Sequence, residues 1–214
     1  MADRYADARH DVWTHARKMW EAGLAVGSAG NVSLRIDHEL IAITPTSVTY
    51  DAMTADDIVI VEMESGAPVE SKHKPSYELP MHQSIYRSRA DVHAIVHTHA
   101  PCITTLSVLR KPLPPVVDEM VVLFGGPIDV AEYAFSGTDQ IATNAVRALH
   151  DRAGAMLANH GNVCVGRDLD HALHVALAME AAARVYVQAL AIGEPVALPE
   201  QSIVAGRRMY EERR

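Results

Sequence analysis

Cysteine is nearly absent. The 214-residue chain holds two, Cys102 and Cys164. They lack Cys-x-x-Cys spacing, and each sits in an apolar run. A disulfide framework is therefore not expected; a reducing, cytoplasmic compartment is. Blocks of basic residues are also missing, and the net charge is −8 with histidine neutral. That argues against nucleic acid or an anionic membrane as partner. No apolar run opens the chain at Met1-Ala2-Asp3-Arg4, so no signal peptide is expected. There is no P-loop, no Gly-x-Gly-x-x-Gly, no repeat, no low-complexity tract and no long linker. A single domain over residues 1–214 follows. Since 49% of residues are apolar, that domain can bury a full core.

The longest apolar stretch, 172–192, contains Glu180, Arg184 and Gln188. Charges at mid-bilayer are costly. Their spacing of four puts the three polar groups on one helical stripe. The stretch reads as a mostly buried helix with one wet or interfacial edge.

Helical periodicity over residues 3–23 places Ala8, Val12, Trp13, Ala16, Met19 and Trp20 on one face, with Gly23 near the end. Strands are expected at 32–36, 40–44, 58–63, 94–99, 155–158 and 163–165. The apolar runs 116–124 and 128–130 also read as strand-like. Helices are expected at 76–87, at 101–109 before the prolines at 112, 114 and 115, and at 138–150. Asp168 or Asp170 suits the N-cap of the long helix. Helices and short antiparallel-type strands are mixed without strict βαβ alternation. The fold class is α/β: a mixed β-sheet flanked by helices.

Against this background one motif stands out. His97-Thr98-His99 ends the apolar run Ala94-Ile95-Val96. Strand residues two apart share a face, so both imidazoles can grip one metal ion. A third imidazole, His160, stands before Gly161, and a lone carboxylate, Glu78, lies in Lys74-Pro75-Ser76-Tyr77-Glu78. Three histidines with an open fourth position make a catalytic rather than a structural metal site. His82 follows Glu78 by four and reads as an indirect partner. His93 shares strand phase with His97 but is not expected to be a ligand, and His171 and His174 read as interfacial or exposed. Ser76 has the grammar of a helix cap, with Glu78 in the first turn. The turn at Gly27–Asn31 and the segment Thr44-Pro45-Thr46-Ser47 are either plain polar turns or phosphate contacts.

Taken in order, Gly30-Asn31-Val32-Ser33, Ile43-Thr44-Pro45-Thr46, Lys74-Pro75-Ser76-x-Glu78, His82, Val96-His97-Thr98-His99-Ala100, Gly125-Gly126, Gly137-Thr138 and Asn159-His160-Gly161 resemble the class II aldolase/adducin family over roughly residues 5–195. The likeness is strongest to its fuculose-phosphate aldolase branch. The resemblance implies an α/β/α sandwich and a lyase that cleaves a ketose 1-phosphate to dihydroxyacetone phosphate and an aldehyde. It also implies one divalent metal per subunit, usually zinc, with manganese or cobalt as alternatives. His97, His99 and His160 match the ligands, and Glu78 matches the acid/base carboxylate. Gly30, Asn31, Thr46, Ser47 and Ser76 fall at substrate-phosphate positions. A small sugar phosphate and a homotetramer with active sites between subunits are the implied partners.

The chain departs from that branch in places. Tyr77 replaces a second phosphate-binding serine, and Ser47 replaces a glycine. Asp118-Glu119 replaces a His-Tyr pair, and Glu119-Met120-Val121 looks more like the methylthioribulose-phosphate dehydratase branch. A dehydratase, an epimerase, a decarboxylase and a non-enzymatic adducin-like scaffold are the alternatives. Intact metal-ligand positions argue against the scaffold.

Overall fold

The computed structural model describes residues 4–214. Its strands are β1 (Asn31–Arg35), β2 (Leu40–Ile43), β3 (Val59–Glu62), β4 (Pro68–Glu70), β5 (Ala94–Thr98), β6 (Val130–Ala131), β7 (Gly154–Leu157) and β8 (Gly161–Gly166). They form one sheet in the order β4-β3-β2-β1-β5-β8-β7-β6. Neighbours run antiparallel except β6 and β7, which are parallel. The helices are α1 (Ala6–Glu21), α2 (Leu79–Ser88), α3 (Pro101–Leu109), α4 (Asp118–Phe124), α5 (Asp139–Leu149), α6 (Leu169–Ile192) and α7 (Glu200–Arg213), with a 3₁₀ turn at Ala55–Asp57.

Alternation along the strands builds two cores. Val32, Ala42, Ile60, Val96 and Cys164 face one way and pack with Val12 and Met19 of α1, Ile103 of α3 and Met179 of α6. Ile41, Val61, Ile95, Leu157 and Val163 face the other way and pack with Met81 and Ile85 of α2 and Ile141 and Ala145 of α5. The mixed sheet is thus covered on both faces, as the α/β sandwich reading expected. Double coverage explains why central β5 is apolar without alternation: every residue in it is buried.

Several expectations need correction. The run 116–124 is not a strand: after Val116 and Val117 it forms α4. Met120, Val121 and Phe124 turn inward, and Gly125 (φ 84) ends the helix. Close packing by α7 explains the unbroken apolarity, since a Cβ on Gly206 would lie 2.9 Å from the Val121 Cβ. Helix α2 starts at Leu79 rather than residue 76, which puts Pro80 in the first turn, where its missing N–H costs nothing. Glu180 is not on a wet edge. It is 4% exposed, and its carboxylate accepts the backbone N–H groups of Cys102 (3.0 Å) and Ile103 (2.9 Å), capping α3. Arg184 and Gln188 are exposed. Asp168, not Asp170, caps α6, accepting from the His171 N–H. Although α6 is long and apolar enough to cross a membrane, Leu173, Val175, Ala176, Met179 and Ala183 pack one side of it into this domain's core. Only 33% of its most apolar stretch is buried, so it is not the mostly buried helix expected. Both cysteines are free.

Candidate active site

The site forms where β5, the β7–β8 turn and the lead into α2 converge. His97 is the penultimate residue of β5, and His99 lies just past its end. His160 occupies the tight β7–β8 turn, its N–H donating to the Leu157 carbonyl. That turn presses on β5 so closely that a Cβ on Gly161 would lie 2.2 Å from the Thr98 carbonyl oxygen. Only glycine fits there. Glu78 immediately precedes α2, with its N–H donating to Ser76 Oγ at 3.3 Å.

Glu78, His97, His99 and His160 each offer one donor atom, all within 4.8 Å of one another. The imidazoles meet edge to face, with centroids 4.7–4.9 Å apart. Glu78 Oε2 lies 3.0 Å from His97 Nε2 and accepts from Asn31 Nδ2 at 2.8 Å. Oε1 lies 3.3 Å from His160 Nε2 and accepts from the Ser136 hydroxyl at 2.6 Å. The three expected imidazoles are thus brought together, and the carboxylate sits among them.

This donor set fits a divalent transition metal. His97 Nδ1 lies 2.8 Å from the Asn162 carbonyl. A carbonyl only accepts, so Nδ1 carries the proton and the Nε2 lone pair faces the cluster. Such backbone anchoring is how metal-binding histidines are oriented. His97 Nε2 and His99 Nε2 approach to 3.0 Å, a contact that one shared cation accounts for.

Electrostatics separate the groups. Burial pushes the Glu78 pKa up, but His97, His160 and Ser136 outweigh it and hold it far below the usual carboxylate range. Burial would lower His97, yet Glu78 raises it. Burial, reinforced by His97 and His160, takes His99 down to about 3. Burial and His97 lower His160 to about 4. Both are neutral near pH 7 and ready to ligate.

Behind Glu78 lies a second buried layer. His82 Nε2 is 2.5 Å from Asn31 Oδ1, Ser33 Oγ is 2.6 Å from His82 Nδ1, and Tyr86 Oη is 2.7 Å from Ser33 Oγ. Burial, with help from His97, lowers His82 to about 3. His82 is therefore an indirect partner, as its spacing suggested. Asn31 is 2% exposed, and its amide engages Glu78 and His82.

Of the remaining expected substrate positions, Ser76 touches Glu78, and backbone bonds tie its segment to that of Thr46 and Ser47. The Ser76 N–H donates to the Thr44 carbonyl (3.1 Å) and the Thr46 N–H to the Lys74 carbonyl (3.0 Å), which stitches the two segments together. Ser47 is exposed with φ 61, the left-handed backbone that glycine adopts freely. Gly30 (φ 78) leaves no room for a Cβ, which would sit 2.6 Å from the His97 carbonyl oxygen. Ser136 was not anticipated: it lies 58 residues from Glu78 in a loop, with no spacing to mark it.

Other candidates lie elsewhere. His93 is exposed at the far end of β5. Exposed Glu119 lines a cavity of about 300 Å³ with Arg89, Asp91 and Val92, beyond that same far end.

Comparison with known proteins agrees with this geometry. A 5-deoxy-D-ribulose 1-phosphate aldolase of Bacillus thuringiensis is 36% identical over 95% of this chain and 95% of its own length. A 5-methylthioribulose-1-phosphate/5-deoxyribulose-1-phosphate aldolase of Rhodospirillum rubrum is 37% identical over 89% of this chain and 85% of its own. Among solved structures, an L-fuculose 1-phosphate aldolase superposes with a TM-score of 0.91 at 34% identity, covering 99% of this chain and 98% of that one. Residues 10–187 match the class II aldolase and adducin N-terminal domain, and on these likenesses the chain belongs to the class II aldolase and adducin family, as an aldolase.

Proposed function

We propose that the chain is a cytoplasmic, homotetrameric, zinc-dependent enzyme that reversibly cleaves a ketose 1-phosphate to dihydroxyacetone phosphate and an aldehyde. The observation that carries this reading is the meeting of buried Glu78 and His97 with half-buried His99 and His160. Manganese or cobalt suits the same imidazoles. The relatives' names support a 5-deoxypentulose 1-phosphate as the first substrate to test and fuculose 1-phosphate as the second. Exposed Leu177, Val185 and Ile192, within one side of α6, support burial of that helix face in an oligomer.

Cleavage breaks the C3–C4 bond and leaves negative charge on the dihydroxyacetone phosphate fragment. A divalent metal held by His97, His99 and His160 supplies Lewis-acid stabilisation of that charge. Overall, the proton of the C4 hydroxyl ends on C3, and Glu78 handles the carbon end of this transfer. Asn31 and Ser136 hold its two oxygens in place. Thr46, Ser47, Ser76 and the Gly30–Asn31 backbone receive the phosphate. The dehydratase alternative rests on Glu119, which this chain does not bring beside Glu78.

The test is condensation of dihydroxyacetone phosphate with acetaldehyde, methylthioacetaldehyde and lactaldehyde, with products read by mass. Carbon–carbon bond formation is expected, fastest with acetaldehyde and methylthioacetaldehyde. A lactaldehyde preference would move the substrate to the fuculose type, and no condensation at all would overturn the reading.

A further inference from the structure

We infer that His82 is a positioning residue for Glu78, acting through Asn31 in a one-way hydrogen-bond string that begins at Tyr86. The inference rests on the reading of Glu78 as the acid/base carboxylate. The direction of the string follows from donor and acceptor chemistry. An ionised carboxylate only accepts, so Asn31 presents its Nδ2 to Glu78 Oε2 (2.8 Å). Asn31 Oδ1 then faces His82 Nε2 at 2.5 Å, and since an amide oxygen only accepts, Nε2 carries the proton. A neutral imidazole protonated at Nε2 has a lone pair at Nδ1, which accepts from the Ser33 hydroxyl at 2.6 Å. Ser33 Oγ in turn accepts from the Tyr86 hydroxyl at 2.7 Å.

Each member is closed to solvent: Asn31 is 2% exposed, Ser33 0%, Glu78 2%, His82 0% and Tyr86 2%. Water therefore offers no substitute partner. An asparagine amide has two orientations, and the wrong one would aim Oδ1 at the carboxylate oxygen. The His82 N–H removes that option, because it demands an acceptor from Asn31. The ring hydrogen-bonds to Asn31 and Ser33 rather than to Glu78 or the imidazole cluster, so its influence is on orientation. Loss of such an outer partner typically lowers activity or metal affinity about 10–100-fold.

The test joins one spectroscopic and two functional readouts. In metal-free, ¹⁵N-histidine-labelled protein, long-range ¹H–¹⁵N spectra should show His82 protonated at Nε2 alone near neutral pH. His82→Phe keeps a flat ring without a donor; His82→Gln restores an N–H near the Nε2 position. His82→Phe should weaken zinc binding in chelator competition and lower kcat for ketose phosphate cleavage, each by about 10–100-fold, with KM within about twofold. His82→Gln should recover most of both. An Nδ1-protonated His82, a fully active His82→Phe with normal zinc affinity, or a His82→Gln as impaired as His82→Phe would overturn the inference. If the wild type cleaves no ketose phosphate, the reaction assigned above fails. The tautomer and the zinc affinities still decide the string.

Discussion

Asn31 stands directly opposite His97 in the β1–β5 ladder. Opposed residues in an antiparallel pair point to the same face, so the register alone places the Asn31 amide beside the His97 imidazole. Ser33, two residues on, shares that face and meets His82. The Gly-Asn-Val-Ser motif is thus strand from Asn31 onward. Its polar side chains serve the carboxylate that enters from α2.

Glu78→Gln keeps the shape of the side chain and removes the base. Positioned acid/base groups contribute about 10²–10⁴ in rate. Cleavage should fall by about that range even when saturating zinc fills the site. Glu119→Gln should have a smaller effect. Steady-state kinetics with metal analysis on both variants checks this, and the reverse order would point to dehydration.

His160→Ala removes one of three imidazoles without touching β5. The variant should fold, bind zinc at least tenfold more weakly and lose nearly all activity at limiting metal. Equilibrium dialysis measures the affinity, and wild-type affinity would exclude His160 as a ligand.

Glu180→Leu strips two N–H groups of α3 of their acceptor. Removing one partner of buried polar groups costs about 1–3 kcal/mol. The urea midpoint should drop with an unchanged m-value. Because α3 follows His99 directly, metal affinity should fall as well.

Asp151 gives a pH signature. Burial raises its pKa, but His150 and Arg207 outweigh this and lower it to about 2. A carboxyl held below its unfolded value of 3.8 contributes stability above that value and loses it as pH falls through about 2. Wild type should therefore be more stable than Asp151→Asn at pH 5, and the gap should narrow as the pH falls below 4. Urea unfolding across that range reads the difference.

Much of this was legible in sequence because the signals were local. The His97–His99 pair needed only strand periodicity, and α3 ended where prolines force it to. Asp168 sits where an N-cap belongs. What stayed hidden depended on tertiary packing. Helix α4 looked like a strand because α7 covers its outer side. Its buried residues Met120, Val121 and Phe124 therefore sit in an unbroken apolar run. Helix α7 and the exposed edge strand β4 went unmarked. Glu180 looked solvated because nothing near it in sequence reveals the two N–H groups it caps. Asn31 carried the expectation of a phosphate contact, and only the β1–β5 register reveals its hold on Glu78. Ser136 had no local signal at all.

Product analysis of a single cleavage reaction tests the central claim most directly. Metal-loaded protein is incubated with 5-deoxyribulose 1-phosphate, with fuculose 1-phosphate in parallel, and products are followed by mass with and without a chelator. The expected result is dihydroxyacetone phosphate and the matching aldehyde in equal amounts, abolished by the chelator and restored by zinc. A phosphorylated product lighter by one water with its carbon chain intact, or an epimer of unchanged mass, would contradict it.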